Sequence, residues 1–395
     1  MLLLSPRSSS GSGIALLASS VAVLGAAFFL WEARSQAASG ASSPEEEAAS
    51  SLSSTRLAHG NLPQSATSST PGRDSEAALN LLRRSYQADN SLNYGADVLT
   101  TATYGSQKME TKAHLMHAPR SLTISYLSGD RRGLEGGYNE RWFWRRDSKT
   151  APMQAYAEVA YRPAEMAAQR FARLILNYNG TLVRTERVAG RLCDVVEVRR
   201  RQPLKGTKGP FKRLWLDRET SLTLRSDSFN CQGSLVQRST LMNLQLQPKV
   251  SSETFVPPQT MFAIARKSSW NTEELGNDRA KVAKMTSLYP PEPSWLPAGF
   301  AFDSVGMQHT SLAKGAPLAA LSRYGDGLNV VTIFAFKTAP HPSGANNAAA
   351  AADSSCTFGS GAMAMRQMPN GVTLLAIADL PTAMLKRVLD NTRPR

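Results

Sequence analysis

The chain has 395 residues, 42% of them hydrophobic, enough for two domains of ordinary size and too apolar for a wholly disordered protein. Lys and Arg number 45 against 31 Asp and Glu, a net charge of +14 that draws anionic partners such as phospholipid headgroups, lipopolysaccharide, acidic protein surfaces or nucleic acid. Three cysteines make no disulfide framework, and without a CxxC or Cys/His cluster neither structural zinc nor any other cofactor is expected.

Ile14 to Trp31 is a run of uncharged residues flanked by Arg7 and by Glu32 and Arg34, which suits a signal peptide or a minimal membrane span. Either reading places the rest of the chain outside the cytoplasm, anchored or released after cleavage near Ser35–Ser39. No cysteine follows the run, so a lipid anchor of the lipoprotein type is excluded. Residues 35–73, rich in Ser, Ala, Gly, Thr and Pro, read as a flexible tether that buries too little surface to offset its ordering entropy.

The spacing of Ala78, Leu81, Leu82 and Tyr86 predicts an amphipathic helix over Asp74–Ala88. Strand-like segments follow at Tyr94–Tyr104, Lys108–Ala118, Ser121–Leu127 and Glu140–Arg146, then a helix at Ala164–Tyr178 with an apolar stripe through Met166, Phe171, Leu174 and Ile175. Further hairpins run to Val250, among them Leu214–Gln237, whose apolar residues alternate as on a half-buried sheet. The fold class is α+β: a strongly curved antiparallel sheet of about nine strands with capping helices, over residues 74–262, and a smaller α+β domain over 289–395, joined by a charged connector.

This order of elements, with "WLDRET" at Trp215–Thr220 and Phe-Val-Pro-Pro at Phe255–Pro258, resembles the outer-membrane lipoprotein carrier superfamily and, within it, the sigma-E regulatory family called RseB or MucB. Leu-Pro-Ala-Gly-Phe at Leu296–Phe300 and Tyr-Gly-Asp-Gly-Leu at Tyr324–Leu328 are similar to that family's small C-terminal domain, and Asn370–Arg393 would supply its closing strand and helix. The resemblance implies a lipid or lipidated-protein ligand in the concave sheet and an anti-sigma-type membrane protein as partner. The length of the tether and an Ala-rich insertion at Thr338–Ser355 depart from the pattern.

An incompletely closed antiparallel sheet leaves a concave apolar face of the sort that accepts acyl chains. Trp142, Phe143, Trp144, Trp215 and Leu222 are the candidate cavity residues, with packing of helices onto the sheet as the plainer role for each. Arg199, Arg200, Arg201, Lys205, Lys208, Lys212 and Arg213 crowd one Pro/Gly-rich loop with no acid among them, a candidate site for anionic headgroups or simply a solvated loop. An exported chain with so few aromatics among these charges does not suit nucleic acid. Cys193 and Cys231 fall on expected strands in an oxidising compartment, and both a disulfide and two free thiols are open. His114 and His117, three apart on a strand, point to opposite faces and suit no metal.

No G-x-S-x-G, G-x-G-x-x-G, P-loop or H-E-x-x-H occurs, so a binding protein is expected and no enzyme. A lipoprotein carrier and a non-lipid interaction scaffold of the envelope are the alternatives to a regulator.

Overall fold

The computed structural model describes residues 73–393, apart from short breaks and the stretches 147–153, 158–162, 257–262, 265–272, 310–317 and 338–352. Ile14–Trp31 lies outside the described residues, and no helix within them is long and apolar enough to cross a membrane.

Helix α1 (Arg73–Ser91) opens the first unit. Ala78, Leu81 and Leu82, the spacing read from the sequence, form a buried cluster with Tyr178, Val196, Val198 and Leu216 of the sheet. Ser85 adds a hydroxyl contact of 2.8 Å to Thr223. Strands β1 (Tyr94–Tyr104), β2 (Gln107–Ala118), β3 (Ser121–Tyr126), β4 (Glu135–Tyr138), β5 (Trp142–Arg146) and β6 (Gln154–Ala157) run as an antiparallel meander. Helix α2 (Pro163–Asn177) then leads into β7 (Tyr178–Val188), β8 (Arg191–Arg200), β9 (Lys212–Asp217), β10 (Thr223–Phe229) and β11 (Leu235–Leu246). With β12 (Ala263–Ile264), which pairs in parallel with β6, they make a twelve-stranded sheet in the order β12-β6-β5-β4-β3-β2-β1-β11-β10-β9-β8-β7. The sheet is open, with β12 and β7 at its edges.

Register decides what each face carries. Val98 stands opposite Ala113 and Leu241, Leu115 opposite Ile124, and Leu122 opposite Tyr138. Through Ser239, Ser226 and Leu214 this row continues onto the face that α1 covers. Trp215 sits on the opposite face, in a row with Arg184, Val195, Arg225 and Thr240.

The chain passes to a second sheet between Ile264 and Glu273, where β13 (Glu273–Glu274) begins. Helix α3 (Arg279–Thr286), capped by Asp278 accepting from the Lys281 amide, and the short β14 (Glu292–Pro293) follow. The expected connector of residues 263–288 thus contributes two strands and a helix. The second sheet adds β15 (Ala301–His309), β16 (Leu318–Gly325), β17 (Val330–Lys337), β18 (Asp353–Phe358), β19 (Gly361–Gln367) and β20 (Val372–Ala378), ordered β13-β15-β16-β17-β20-β19-β18. Helix α4 (Thr382–Asp390) buries Leu385, Val388 and Leu389 in the core that holds Val331, Ile333, Leu374 and Ala376. The last strand, β21 (Thr392–Arg393), pairs with β14. The architecture is therefore α+β with a large, mostly antiparallel sheet.

Candidate functional site: the junction of the two sheets

A buried polar cluster joins the two sheets, built from residues far apart in the chain. Asp326, with no exposed side-chain surface, lies in the turn between β16 and β17. Its Oδ1 accepts from the Leu328 and Asn329 amides at 3.0 and 2.7 Å, which fixes the turn. Its Oδ2 accepts from the Tyr178 hydroxyl at 2.8 Å and pairs with the Arg200 guanidinium, both on the first sheet. Arg200 also donates to the Ala298 carbonyl at 3.1 Å and lies between the rings of Tyr178 and Phe300, 5.4 and 5.3 Å from their centroids. A charge this deeply buried persists only when paired and bonded on all sides, and Asp326 meets that condition.

The end of α2 makes the second half of the junction. Arg173 pairs with Asp303 and donates to the Phe302 carbonyl at 2.9 Å. Asn177 donates to the carbonyls of Gly299, at 3.0 Å, and Asp326, at 2.9 Å. Two glycines make room for this. Gly299 has φ +90°, and a β-carbon there would stand 2.4 Å from Asn177 Oδ1; one on Gly325 would stand 2.4 Å from Asp303 Oδ2. Two leucines cross over as well, Leu204 of the β8–β9 loop joining the core of the second unit and Leu328 packing against the α1 cluster of the first.

The basic loop reads differently in three dimensions. Arg200, read from the sequence as a candidate for an external anion, is nearly buried and is the clasp to Asp326. Arg199 and Arg213 share Glu197, whose carboxyl burial would raise; the two guanidiniums outweigh that and hold it below the usual range. Arg201 donates to the Tyr178 and Ile175 carbonyls, and Lys212 is a half-buried strand residue. Lys205 and Lys208 are exposed, the two lysines of the set facing solvent.

Trp215 is fully buried on the face away from α1, with the Arg225 guanidinium 4.0 Å from its ring centroid and its Nε1 donating to Glu186 at 3.1 Å. It packs beneath the Arg225 guanidinium and belongs to one buried cluster with Leu115, Leu122 and Ile124. Leu222 and Leu224 join the same buried cluster. Trp144 is buried against Gly137, where a β-carbon would come within 2.7 Å of the indole. Trp142 and Phe143 are residues of β5 whose side chains lie outside the description.

Around Trp215 the acids are shared. Asp227, nearly fully buried, pairs with Arg225 and Arg238, and these bonds outweigh burial to keep its carboxyl ionised below the normal range. Asp217 is held likewise, against burial, by Arg191 and by the Thr220 hydroxyl and amide of the "WLDRET" turn.

Cys193 and Cys231 are free thiols. Cys193 lies on β8 opposite Asp217, whereas Cys231 is in the turn after β10, at the other end of the β8–β9 ladder. Some five residues of strand separate the two ends, roughly 15 Å, beyond disulfide reach. His114 bonds Asp97 at 3.1 Å on an exposed face, and buried His117 stacks on Tyr94, its Nδ1 3.1 Å from the Leu92 carbonyl. Among the described residues no group of three metal-ligating side chains occurs.

A large open sheet, its helices and a clasped second sheet define a two-unit α+β protein with a buried polar cluster at the junction. Residues 77–259 match the family described as the MucB/RseB N-terminal domain. That match runs from α1 to beyond β11, within the first unit, and likens the chain to the RseB/MucB family. It is 23% identical over 257 residues to the sigma-E factor regulatory protein RseB of Escherichia coli (strain K12), covering 63% of this chain and 72% of that protein. To RseB of Salmonella typhimurium it is 22% identical over 254 residues, with the same coverage. Among solved structures, the Pseudomonas aeruginosa MucA/MucB complex matches with a TM-score of 0.53 at 18% identity, over 81% of this chain and 99% of that one. MucB in complex with MucA(peri) matches with a TM-score of 0.51. These two likenesses span both sheets and establish the fold.

Proposed function

We propose that the chain regulates a sigma factor of the sigma-E type by binding the extracytoplasmic part of an anti-sigma-type membrane protein, from the periplasmic side of the envelope. The carrying observation is that both units, in order, match MucB as found in complex with MucA, over 99% of that chain. The name of the matched relatives, sigma-E factor regulatory protein, supports the same reading. The protein acts by binding and performs no chemistry. Isothermal titration of the full chain with the purified extracytoplasmic segment of the cognate anti-sigma protein tests it. Saturable binding is expected; no heat and no co-elution on gel filtration would overturn it.

A lipid ligand is the second reading, favoured by the apolar row on the α1 face. Val98, Tyr126, Tyr138 and Leu241 are only partly buried there, around the buried Leu115, Leu122 and Ile124. An acyl chain in that position would complete their burial, at roughly 25 cal/mol per Å². Purification without detergent followed by mass spectrometry of a denatured extract tests it, acyl lipid at stoichiometric level supporting it and a lipid-free protein that resists loading opposing it. Anchoring by Ile14–Trp31 is part of the same proposal, tested by whether the mature N-terminus retains that segment.

A further inference from the structure

Helix α2 leans on the wrong partner. A capping helix ordinarily buries its apolar stripe on its own sheet. Here Leu176 is 71% exposed, and Phe171, Leu174 and Ile175 are only half-buried. Phe171 stacks on Tyr86 of α1, centroids 5.5 Å apart, and Leu174 touches the α1 cluster. Polar bonds run to both units: Arg201, just after β8 of the first, donates to the Ile175 carbonyl through its guanidinium and to the Asn177 carbonyl through its amide, both at 2.9 Å, and more go to the second. Arg173 reaches Asp303 and the carbonyls of Phe302 and Gly325, and Asn177 reaches the carbonyls of Gly299 and Asp326, all five on the second unit. Asp303 is almost fully buried, so these bonds are shielded from water and from salt.

We propose that α2 is a cap carried by the second unit, a lever whose position over the α1 side of the large sheet is set by where the second unit sits. A shift of that unit pulls on Arg173 and Asn177, and the helix pivots about its last turn, where the Arg201 bonds and the run into β7 tie it to the first unit, while the weak apolar contacts to α1 yield. A partner that repositions the second unit thereby opens or closes the face beside α1, and an occupant of that face moves the second unit in turn. This deepens the binding function proposed above, yet the mechanical claim needs no ligand for its test.

Hydrogen exchange by mass spectrometry on the full chain supplies that test, comparing the amides of α2 with those of α1 and β16. In Arg173→Gln/Asn177→Ala, protection in α2 is expected to fall roughly tenfold or more, as loss of charge-assisted bonds implies, with α1 and β16 unchanged. A second variant, Asp303→Asn, leaves the sequence of α2 intact and changes only the other unit. It is expected to loosen α2 in the same way, through space. Unchanged α2 protection in Asp303→Asn would show that the first sheet holds the helix and would overturn the proposal. Equal loss in α1, α2 and β16 would also overturn it, since the helix would then belong to one cooperative block. Neither outcome bears on whether an anti-sigma partner binds.

Discussion

Asp227 and Asp326 are two buried aspartates with nearly the same chemistry and opposite consequences. Asp227 is shared by Arg225 and Arg238, and all three belong to neighbouring strands of one sheet whose backbone ladder already fixes them. Asp326 takes Arg200 and Tyr178 from a different sheet, and no ladder crosses that boundary. The first cluster therefore decorates a structure that would exist without it, whereas the second determines how two structures sit together. Burial and pairing alone do not show which role an ion pair has; the connectivity of its partners does.

The sharpest way to break this contrast is to remove Asp326. Asp326→Ala leaves Arg200 buried and uncompensated, and strips the β16–β17 turn of two side-chain bonds. A loss of about 3–5 kcal/mol is expected from chemical denaturation, with a wider particle in small-angle scattering. Asp227→Ala leaves two more exposed guanidiniums, and a loss of about 1–3 kcal/mol with unchanged particle dimensions is expected. Equal expansion in both variants would erase the distinction. Gly299→Ala puts a β-carbon against Asn177 at a backbone angle that alanine resists, with an expected cost of about 1–3 kcal/mol and, on the same measurements, a junction phenotype like that of Asp326→Ala.

A smaller effect separates surface from junction by pH. Bonds from His114 and Asn243, then Lys112, lower the Asp97 carboxyl to about 2 from its ordinary 3.8. A depressed carboxylate contributes stability that is present above its unfolded pKa and lost as pH falls through its folded one. Denaturation midpoints of the native chain should therefore drop between about pH 4 and pH 2 by more than those of Asp97→Asn. Smallest of all is a thiol difference. Burial pushes Cys193 up to about 11, so a thiol reagent at neutral pH should label Cys231 well before Cys193.

Much of the fold was legible because its signals are local. The strand over Tyr94–Tyr104 has the expected bounds, and α1 and α2 fall within a few residues of expectation, since alternation and helical spacing survive in a single stretch. The short strands β4 and β6, four residues each, were missed: Glu-Gly-Gly-Tyr and Gln-Ala-Tyr-Ala carry too few alternating positions to register. The site was less legible. Leu296–Phe300 and Tyr324–Leu328 stood out as family-like turns, and their glycines were the available hint of close backbone approach, but their partners Arg173, Asn177, Tyr178 and Arg200 lie 98 or more residues away. Alternation shows that a residue faces a core, and only the pairing of β8, β9 and β10 shows which face that is.

The central claim is that Arg200 and Asp326 clasp the two sheets into one arrangement. The most direct measurement is a spin-label distance between Arg187→Cys, exposed on β7, and Lys386→Cys, exposed on α4, in a chain whose native cysteines are serine. A single narrow distribution in this background that becomes broad when Asp326→Ala is added is the expected result. The same narrow distribution in both would contradict the clasp and leave the crossed leucines and the α2 contacts as what orients the molecule.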